Sequence, residues 1–132
     1  MLILLDNLSL LDLTLDGLPP TVNHLYHSHG HVRFKSPEGK HYQNIVSNNI
    51  RSVWNNKPPY TSPVEFRISF FTNDNKRWDI DNRVKALQDC LSLAGVIRDD
   101  SQIHILHVER IHSDSKCTHI SLLKCSKEAL SS

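Results

Sequence analysis

Two pairs of acidic residues and a lysine lie close together in the second half of this sequence. They are Asp79 and Asp81, then Lys85, then Asp99 and Asp100. If the chain between the pairs folds as a strand end, a helix and a turn, carboxylates from both sides can converge on one point. Converging carboxylates without a matching set of basic partners favour a divalent cation, most often magnesium. Magnesium beside a lysine is a typical arrangement for cleaving phosphodiester bonds.

The spacing of these residues supports that chemistry through local geometry. Residues two apart in an extended segment point the same way, so we expect Asp79 and Asp81 to face one cation. Asp81 and Lys85 are one helical turn apart and are expected to share a helix face, on which Asp89 follows. A water activated by one or two magnesium ions would attack phosphorus while Lys85 contacts the scissile phosphate.

Each of these residues also has a purely structural interpretation. Asp81 or Asn82 can serve as the N-cap of the helix, and Lys85 can serve as a salt-bridge partner for Asp81. Asp99 and Asp100 can simply form a turn. Spacing alone leaves these alternatives open.

The surrounding pattern predicts an α+β domain with two main helices on a small mixed β-sheet. The strands are expected at Leu8–Leu18, Val64–Phe71, Ile103–Arg110 and Thr118–Lys124, with His27–Phe34 as a further strand or an irregular extended arm. The first helix is expected from Ser36 to about Asn55, with Ser36 as its N-cap and Pro37 in its first turn. Its predicted buried face is Tyr42, Ile45, Val46, Ile50 and Val53. The second helix would end at Gly95 and bury Val84, Leu87, Leu91 and Ala94.

Length and composition bound the class of protein. The 132 residues are enough for one domain, expected to span the whole chain with its core at about 8–126. The net charge of +1 is nearly neutral, but residues 21–57 hold five Lys or Arg, five His and one acid. A cation bound at the acidic pairs would make a surface that faces phosphates more positive. Three cysteines without close pairing indicate reduced thiols and a cytoplasmic protein.

The N-terminal segment does not have the pattern of a targeting sequence. Met1–Leu15 is rich in apolar residues but carries Asp6 and Asp12 and has no basic start. We therefore expect neither a signal peptide nor a membrane span. For residues 1–7 an edge strand, a dimer contact and disorder all remain open.

The stretch RWDIDNRVKALQDCLSLAGVIRDDSQI resembles the signature of the RusA-type Holliday-junction resolvases. The matching elements are a D-x-D-N motif, a lysine four residues after the second aspartate, a helical aspartate, an A-G pair and a D-D-x-Q motif. In this sequence they are Asp79, Asp81, Asn82, Lys85, Asp89, Ala94, Gly95, Asp99, Asp100 and Gln102. The first half agrees in a leading strand, Pro19-Pro20, Asn23, Tyr26 and an S-P-E-G motif followed by Tyr42. The resemblance covers about Leu11 to Ile111.

The resemblance implies a RusA-like fold and a homodimeric, magnesium-dependent endodeoxyribonuclease, in which manganese can substitute. Such an enzyme binds four-way DNA junctions and nicks two opposing strands symmetrically, in recombination and repair. By position, Asp79, Asp81 and Asp100 are the implied metal ligands, and Lys85 is the implied essential lysine. For DNA contacts we expect Asn23, His27, His29, Arg33, Lys35, Lys76 and Arg77. The protein would be DNA-associated in the cytoplasm.

The sequence departs from the family pattern at its basic positions. Asn75-Lys76-Arg77-Trp78 stands where a run of arginines is expected, and His24, His27, His29 and His31 stand in the basic arm. Neutral imidazoles predict weaker or more pH-dependent phosphate binding. The histidines can contact phosphate, bind a metal such as zinc, or have no special role. Trp78 either stacks on an unpaired base or belongs to the core.

Two other functions are compatible with the sequence. One is a branched-DNA-binding module that keeps the fold but has lost cleavage, and the complete set of Asp79, Asp81, Lys85 and Asp100 argues against it. The other is a metal-dependent enzyme that acts on a different phosphate substrate.

Overall fold

The protein is described by a computed structural model that covers residues 8–126, so the alternatives for residues 1–7 lie outside the described chain. The strands are β1 (Ser9–Asp16), β2 (Tyr26–His29), β3 (Val32–Lys35), β4 (Val64–Thr72), β5 (Ile103–His112) and β6 (Cys117–Lys124). The α-helices are α1 (Val22–Leu25), α2 (Pro37–Trp54) and α3 (Val84–Leu93), and two 3₁₀ helices span Ile80–Arg83 and Asp100–Gln102. No helix in this part of the chain is long and apolar enough to cross a membrane.

A four-stranded mixed sheet forms the body of the protein, in the order β1-β6-β4-β5. Strands β4 and β5 are parallel, whereas β1 and β4 each pair with β6 in antiparallel fashion. The predicted α+β class with a mixed sheet is therefore confirmed. Alternate residues of β4 (Val64, Phe66, Ile68 and Phe70) are almost fully buried, and together with Ile120 and Leu122 they form one core face. The helices α2 and α3 contribute their apolar residues to the same core.

Helix α2 begins and ends at the predicted residues. The Ser36 side chain accepts a hydrogen bond from the Gly39 backbone N–H at 2.9 Å, and Asn55 ends the helix with a left-handed φ of 59°. The predicted buried face is wrong at two positions, because Ile45 and Val53 are 48% and 51% exposed.

The face of α2 that is buried includes polar residues. It consists of Gly39, Gln43, Val46, Ser47, Ile50 and Trp54. Ser47 satisfies its hydroxyl group by donating to the Gln43 carbonyl oxygen one turn earlier, so it can be buried without a distant partner. A prediction that counted only apolar residues therefore selected a face rotated toward solvent.

The segment predicted as one strand or an irregular arm is a β-hairpin. Strands β2 and β3 pair antiparallel, with His27 opposite Phe34 and His29 opposite Val32. Gly30 has a φ of +63°, and it is the first of the two residues that join the strands. Residues 27–34 are exposed, so this two-stranded hairpin projects from the body of the protein.

Candidate active site

The segment before Asp79 is fixed to the body by an arginine and a tryptophan. Arg110 on β5 donates to the backbone oxygens of Asp74 and Lys76, at 2.7 and 3.2 Å. The ring of Trp78 is partly buried against the core and makes an edge contact with Phe70, at 5.7 Å between centroids. The Arg110 guanidinium lies 4.2 Å from the centroid of the Trp78 ring. The core interpretation of Trp78 thus agrees with the structure, and its ring orients the chain that leads to Asp79.

Asp79 and Asp81 lie on different kinds of backbone. Asp79 is extended, with φ −80° and ψ 135°, whereas Asp81 belongs to the 3₁₀ helix Ile80–Arg83. The expected extended backbone is therefore wrong at Asp81, and the shared orientation of the two carboxylates toward one cation stays a prediction. The predicted cap is also wrong, because α3 starts after Arg83 without any side-chain cap. Both aspartates are exposed, and within residues 8–126 neither side chain has a hydrogen bond or ion pair.

Lys85, in the first turn of α3, contacts two carboxylates. Its ammonium lies 3.0 Å from Asp89 Oδ1, one helical turn later, and 3.5 Å from Asp100 Oδ2. The hydrogen bond with Asp89 raises the pKa of Lys85 above its ordinary value, so the amine remains protonated. The lysine is about half exposed, which leaves it accessible to a phosphate from solvent.

A tight turn after α3 brings Asp100 to Lys85. Gly95 has a φ of +77°, and the backbone N–H groups of Gly95 and Val96 donate to the carbonyls of Ser92 and Leu91, both at 3.1 Å. This pair of bonds ends the helix and reverses the chain. Asp100 then lies beside α3, with Ser92 Oγ 3.4 Å from its Oδ1.

Asp99 and Asp100 differ in role although they are neighbours. Asp99 caps the second 3₁₀ helix by accepting from the Ser101 N–H at 3.0 Å, and hydrogen bonds with the side chain and the backbone of Ser101 lower the pKa of Asp99. Gln102 completes a capping box and donates to the Tyr60 carbonyl at 2.7 Å. The turn is thereby held to the loop before β4. The turn interpretation therefore applies to Asp99, while Asp100 faces the lysine.

The predicted DNA-contacting residues lie on three exposed segments. Asn23 is on α1, His27 and His29 are on β2, Arg33 and Lys35 are on β3, and Lys76 and Arg77 are in the segment before Asp79. Lys35 is partly buried, and its ammonium already has a carboxylate partner, because it lies 3.4 Å from Asp89 Oδ2. The Arg33 guanidinium lies 4.2 Å from the centroid of the Tyr26 ring.

The sequence matches the family of the endodeoxyribonuclease RusA over residues 16–122. This chain belongs to the RusA family. It is 35% identical over 86 residues to the crossover junction endodeoxyribonuclease RusA of Shigella sonnei (strain Ss046) and to that of Escherichia coli (strain K12). The crossover junction endodeoxyribonuclease of Enterobacteria phage 82 matches to the same extent. Each match covers 64% of this chain and 70% of the relative. The mixed sheet with few helices is consistent with a RusA-like fold, as predicted.

The carboxylates of this RusA-family chain suit magnesium in type, although they do not form a closed cage. Within residues 8–126, no group of three or more His, Cys, Asp or Glu side chains is arranged to hold a metal ion. Magnesium is usually bound by one or two carboxylates together with substrate phosphates and water. Asp79 and Asp81 offer such oxygen atoms without a partner among residues 8–126, and Asp100 is paired with Lys85. The ligand set Asp79, Asp81 and Asp100 therefore stays a prediction.

The four histidines near the hairpin do not share one face. His24 lies on α1, where its Nδ1 is 3.0 Å from the Thr21 hydroxyl, and His31 lies in the turn. His27 and His29 alternate on β2 and do share a face, with Phe34 and Val32 opposite them. The described structure thus offers no support for a metal site there, and contact with phosphate remains a prediction for His27 and His29.

Sequence reasoning assigned no site role to Arg110, Arg83 or Tyr26. Arg83 lies beside the Trp78 ring, 4.6 Å from its centroid, and burial lowers its pKa. The Tyr26 hydroxyl donates to Asp89 Oδ2 at 3.2 Å. The contacts of Tyr26 with Asp89 and of Arg110 with Trp78 join residues far apart in the chain, so no local spacing could have indicated them. The only available signal was the presence of Tyr26 within the family resemblance.

Proposed function

We propose that this protein is a magnesium-dependent, structure-specific endodeoxyribonuclease that resolves four-way DNA junctions by paired, symmetric nicks. The observation that carries the proposal is Lys85, which lies against Asp100 in a chain of the RusA family and follows the exposed Asp81 by four residues. Relatives that share 35% identity are named crossover junction endodeoxyribonucleases.

The residues of the chain have separate proposed tasks. Asp79, Asp81 and Asp100 would hold the magnesium ion, or manganese in its place. When bound, the ion supplies Lewis-acid chemistry and makes a water nucleophilic at neutral pH. Lys85 carries a permanent positive charge, half exposed, and contacts a non-bridging oxygen of the scissile phosphate. It stabilises the extra negative charge that phosphorus gains during the attack.

DNA would be held mainly through its backbone. Lys76 and Arg77 precede the acidic pair directly, and the hairpin offers Arg33 on one face and His27 and His29 on the other. Asn23 lies next to the hairpin on α1. Contacts to phosphates position a duplex without reading its sequence, and recognition of a branch point then depends on DNA shape. Since histidines stand in place of some permanent charges, we expect the hairpin to bind phosphates more weakly than arginines in these positions would.

A two-fold dimer accounts for paired nicks. A four-way junction offers equivalent strands, and a homodimer with one site in each protomer places two equivalent sites on them. We propose this assembly for the protein when it binds a junction. Sedimentation equilibrium of the protein, alone and with a junction, gives the number of protomers in the assembly. A single protomer bound to one junction would contradict the proposed dimer.

The direct test is incubation of the protein with a labelled synthetic four-way junction and a matched linear duplex, with and without magnesium. Paired nicks in the junction that require magnesium are expected. Asp81→Asn and Asp100→Asn should each lower the cleavage rate by about 100-fold or more while junction binding persists. Asp99→Asn is the matched control and should cleave nearly as wild type, because asparagine also caps a helix.

Two outcomes would contradict the proposal in different ways. Junction binding by the wild type without cleavage would favour the inactive branched-DNA-binding module. Equal cleavage of junction and linear duplex would remove the specificity for branched DNA and favour another phosphate substrate.

A further inference from the structure

Asp89 is shared by donors from two separate parts of the protein. Its Oδ1 lies 3.0 Å from the Lys85 ammonium on the same helix. Its Oδ2 accepts from the Tyr26 hydroxyl at 3.2 Å and lies 3.4 Å from the Lys35 ammonium. The carboxylate is mostly buried, with 16% of the side chain exposed. One carboxylate therefore joins the hairpin to the lysine of the candidate site.

The hairpin has two distinct faces, and only one of them meets α3. Tyr26 and Lys35 are opposite each other in the pairing of β2 with β3, so their side chains share a face. Arg33 lies over the Tyr26 ring on that side. His27 and Phe34 form the next pair and belong to the opposite, exposed face. Since residues 27–34 are all exposed, the contact with Asp89 holds the base of the hairpin against the body.

The charges at Asp89 make the position of Lys85 depend on the hairpin. Two ammonium groups flank one carboxylate, and Lys85 also lies 3.5 Å from Asp100 Oδ2. Hydrogen bonds to a charged group are stronger than neutral ones, so the Tyr26 hydroxyl and Lys35 restrict the rotation of the Asp89 carboxylate. A restricted carboxylate in turn fixes the direction in which the Lys85 ammonium points.

We propose that Asp89 is a positioning residue through which the β2–β3 hairpin orients Lys85 toward the scissile phosphate. The proposal rests on the nuclease function proposed above. When DNA lies along the hairpin and a phosphate engages Lys35, Tyr26 still holds Asp89, and Lys85 becomes the principal cation on that carboxylate. The hairpin then both binds the DNA backbone and sets the geometry of the site that cuts it.

The first experiment separates affinity from cleavage rate in single-turnover assays on a four-way junction. Tyr26→Phe removes only the hydroxyl group, and we expect cleavage to slow about three- to tenfold while the Kd for the junction without divalent metal stays constant. Ser28→Ala is the matched control, because it removes a hydroxyl from the same face of the same strand and should leave the rate unchanged. Asp89→Asn should slow cleavage more than Tyr26→Phe does. Asp89→Glu keeps the carboxylate and should therefore cleave faster than Asp89→Asn.

A double variant tests whether Tyr26 acts through Asp89. If it does, Tyr26→Phe combined with Asp89→Asn should be no slower than Asp89→Asn alone. If the loss of cleavage rate in the double variant equals the product of the two single losses, the proposal is overturned, because Tyr26 would then act independently of Asp89. An Asp89→Asn variant that loses junction affinity and cleavage rate by the same factor would also overturn the proposal.

A second readout needs no activity. Backbone amide hydrogen exchange in the metal-free protein should accelerate within residues 26–35 in Tyr26→Phe and Asp89→Asn, while β4 and β6 keep wild-type protection. Unchanged hairpin exchange in both variants would overturn the coupling. If the wild type cleaves no junction, the proposed function fails, and the exchange result still decides whether Asp89 links the hairpin to α3.

Discussion

The sheet with its two helices and the β2–β3 hairpin are held together by different interactions. The sheet has four strands, and its residues Phe66, Ile68 and Ile120 have almost no exposed surface. The hairpin contains only two strands of four residues each and exposes Val32 and Phe34 to solvent. A hairpin of this size is marginally stable in water by itself. The stability of the hairpin therefore depends on its contacts with the body.

The difference shows where function can be adjusted without loss of the fold. Among the described residues, the hairpin region is attached at Asp89, which holds Tyr26 and Lys35, and at Leu25, which lies against the first turn of α2. At the second contact, the Ser36 backbone N–H donates to the Leu25 carbonyl at 3.0 Å. The acidic residues of the candidate site lie on the body, whereas five of the seven expected DNA-contacting residues lie on α1 and the hairpin; the other two, Lys76 and Arg77, directly precede Asp79.

Two phenylalanines test this contrast most strongly. Phe66→Ala should lower the free energy of unfolding by about 3–5 kcal/mol, because it leaves a cavity at a fully buried site in β4. Phe34→Ala is the matched substitution in the hairpin, where the side chain is 45% exposed, and it should change stability by about 0.5 kcal/mol or less. Urea denaturation of both variants measures the difference. Similar losses would mean that the hairpin belongs to the same cooperative core.

The attachment of the hairpin can be weakened at a glycine in α2. A Cβ on Gly39 would lie 2.5 Å from the Leu25 carbonyl oxygen, so one of the two elements must move. We expect Gly39→Ala to destabilise the protein by about 1–3 kcal/mol, although alanine favours a helix by about 1 kcal/mol relative to glycine.

The control for that variant is the next residue along the same helix. Lys40 is exposed, and Lys40→Ala should leave the unfolding midpoint nearly unchanged. Thermal unfolding followed by circular dichroism compares the two variants. If Gly39→Ala is as stable as wild type, the close approach between α1 and α2 does not constrain the attachment of the hairpin.

The same contrast explains which parts of the fold could be predicted from the sequence. Strand β4 was predictable because one face is buried and the other is not, which gives strict alternation of apolar and polar residues. In the hairpin both faces carry polar or exposed residues, so the pattern lacked a period, and the turn at Gly30 was missed. The ends of α2 were predictable because Ser36 and Asn55 act locally.

The candidate site divides in a similar way. The ion pair of Lys85 with Asp89 follows from a spacing of four residues in a helix. The contacts of Tyr26 and Lys35 with Asp89 join residues 63 and 54 positions apart, and those depend on how the hairpin meets α3. The backbone at Asp81 was predicted wrongly because a 3₁₀ helix replaces the extended segment there, and no residue type marks that change.

The smallest expected change in stability concerns α3, where one residue contacts the hairpin and the next lies in the core of the body. Asp89 faces the hairpin, whereas the Cys90 thiol is fully buried, and burial raises its pKa to about 12 from 9.0. A thiol that stays protonated in the folded protein but ionises in the unfolded chain stabilises the fold below pH 9. This contribution is lost as the pH rises from 9 toward 12. Between pH 8 and pH 10 we expect a loss of about 1 kcal/mol from this group.

Cys90→Ala removes the buried thiol and is expected to remove that part of the alkaline decline. Urea unfolding of both proteins at pH 8 and pH 10, with a reductant present, gives the difference between their pH dependences. Tyr42 is also buried, and burial raises its pKa, so it stays protonated in both folded proteins up to pH 10 and its contribution cancels in the comparison. Identical declines would mean that Cys90 ionises as readily in the folded state as in the unfolded chain. In that case the buried face of α3 would admit water, and the distinction between a closed body and an open hairpin would not hold at this helix.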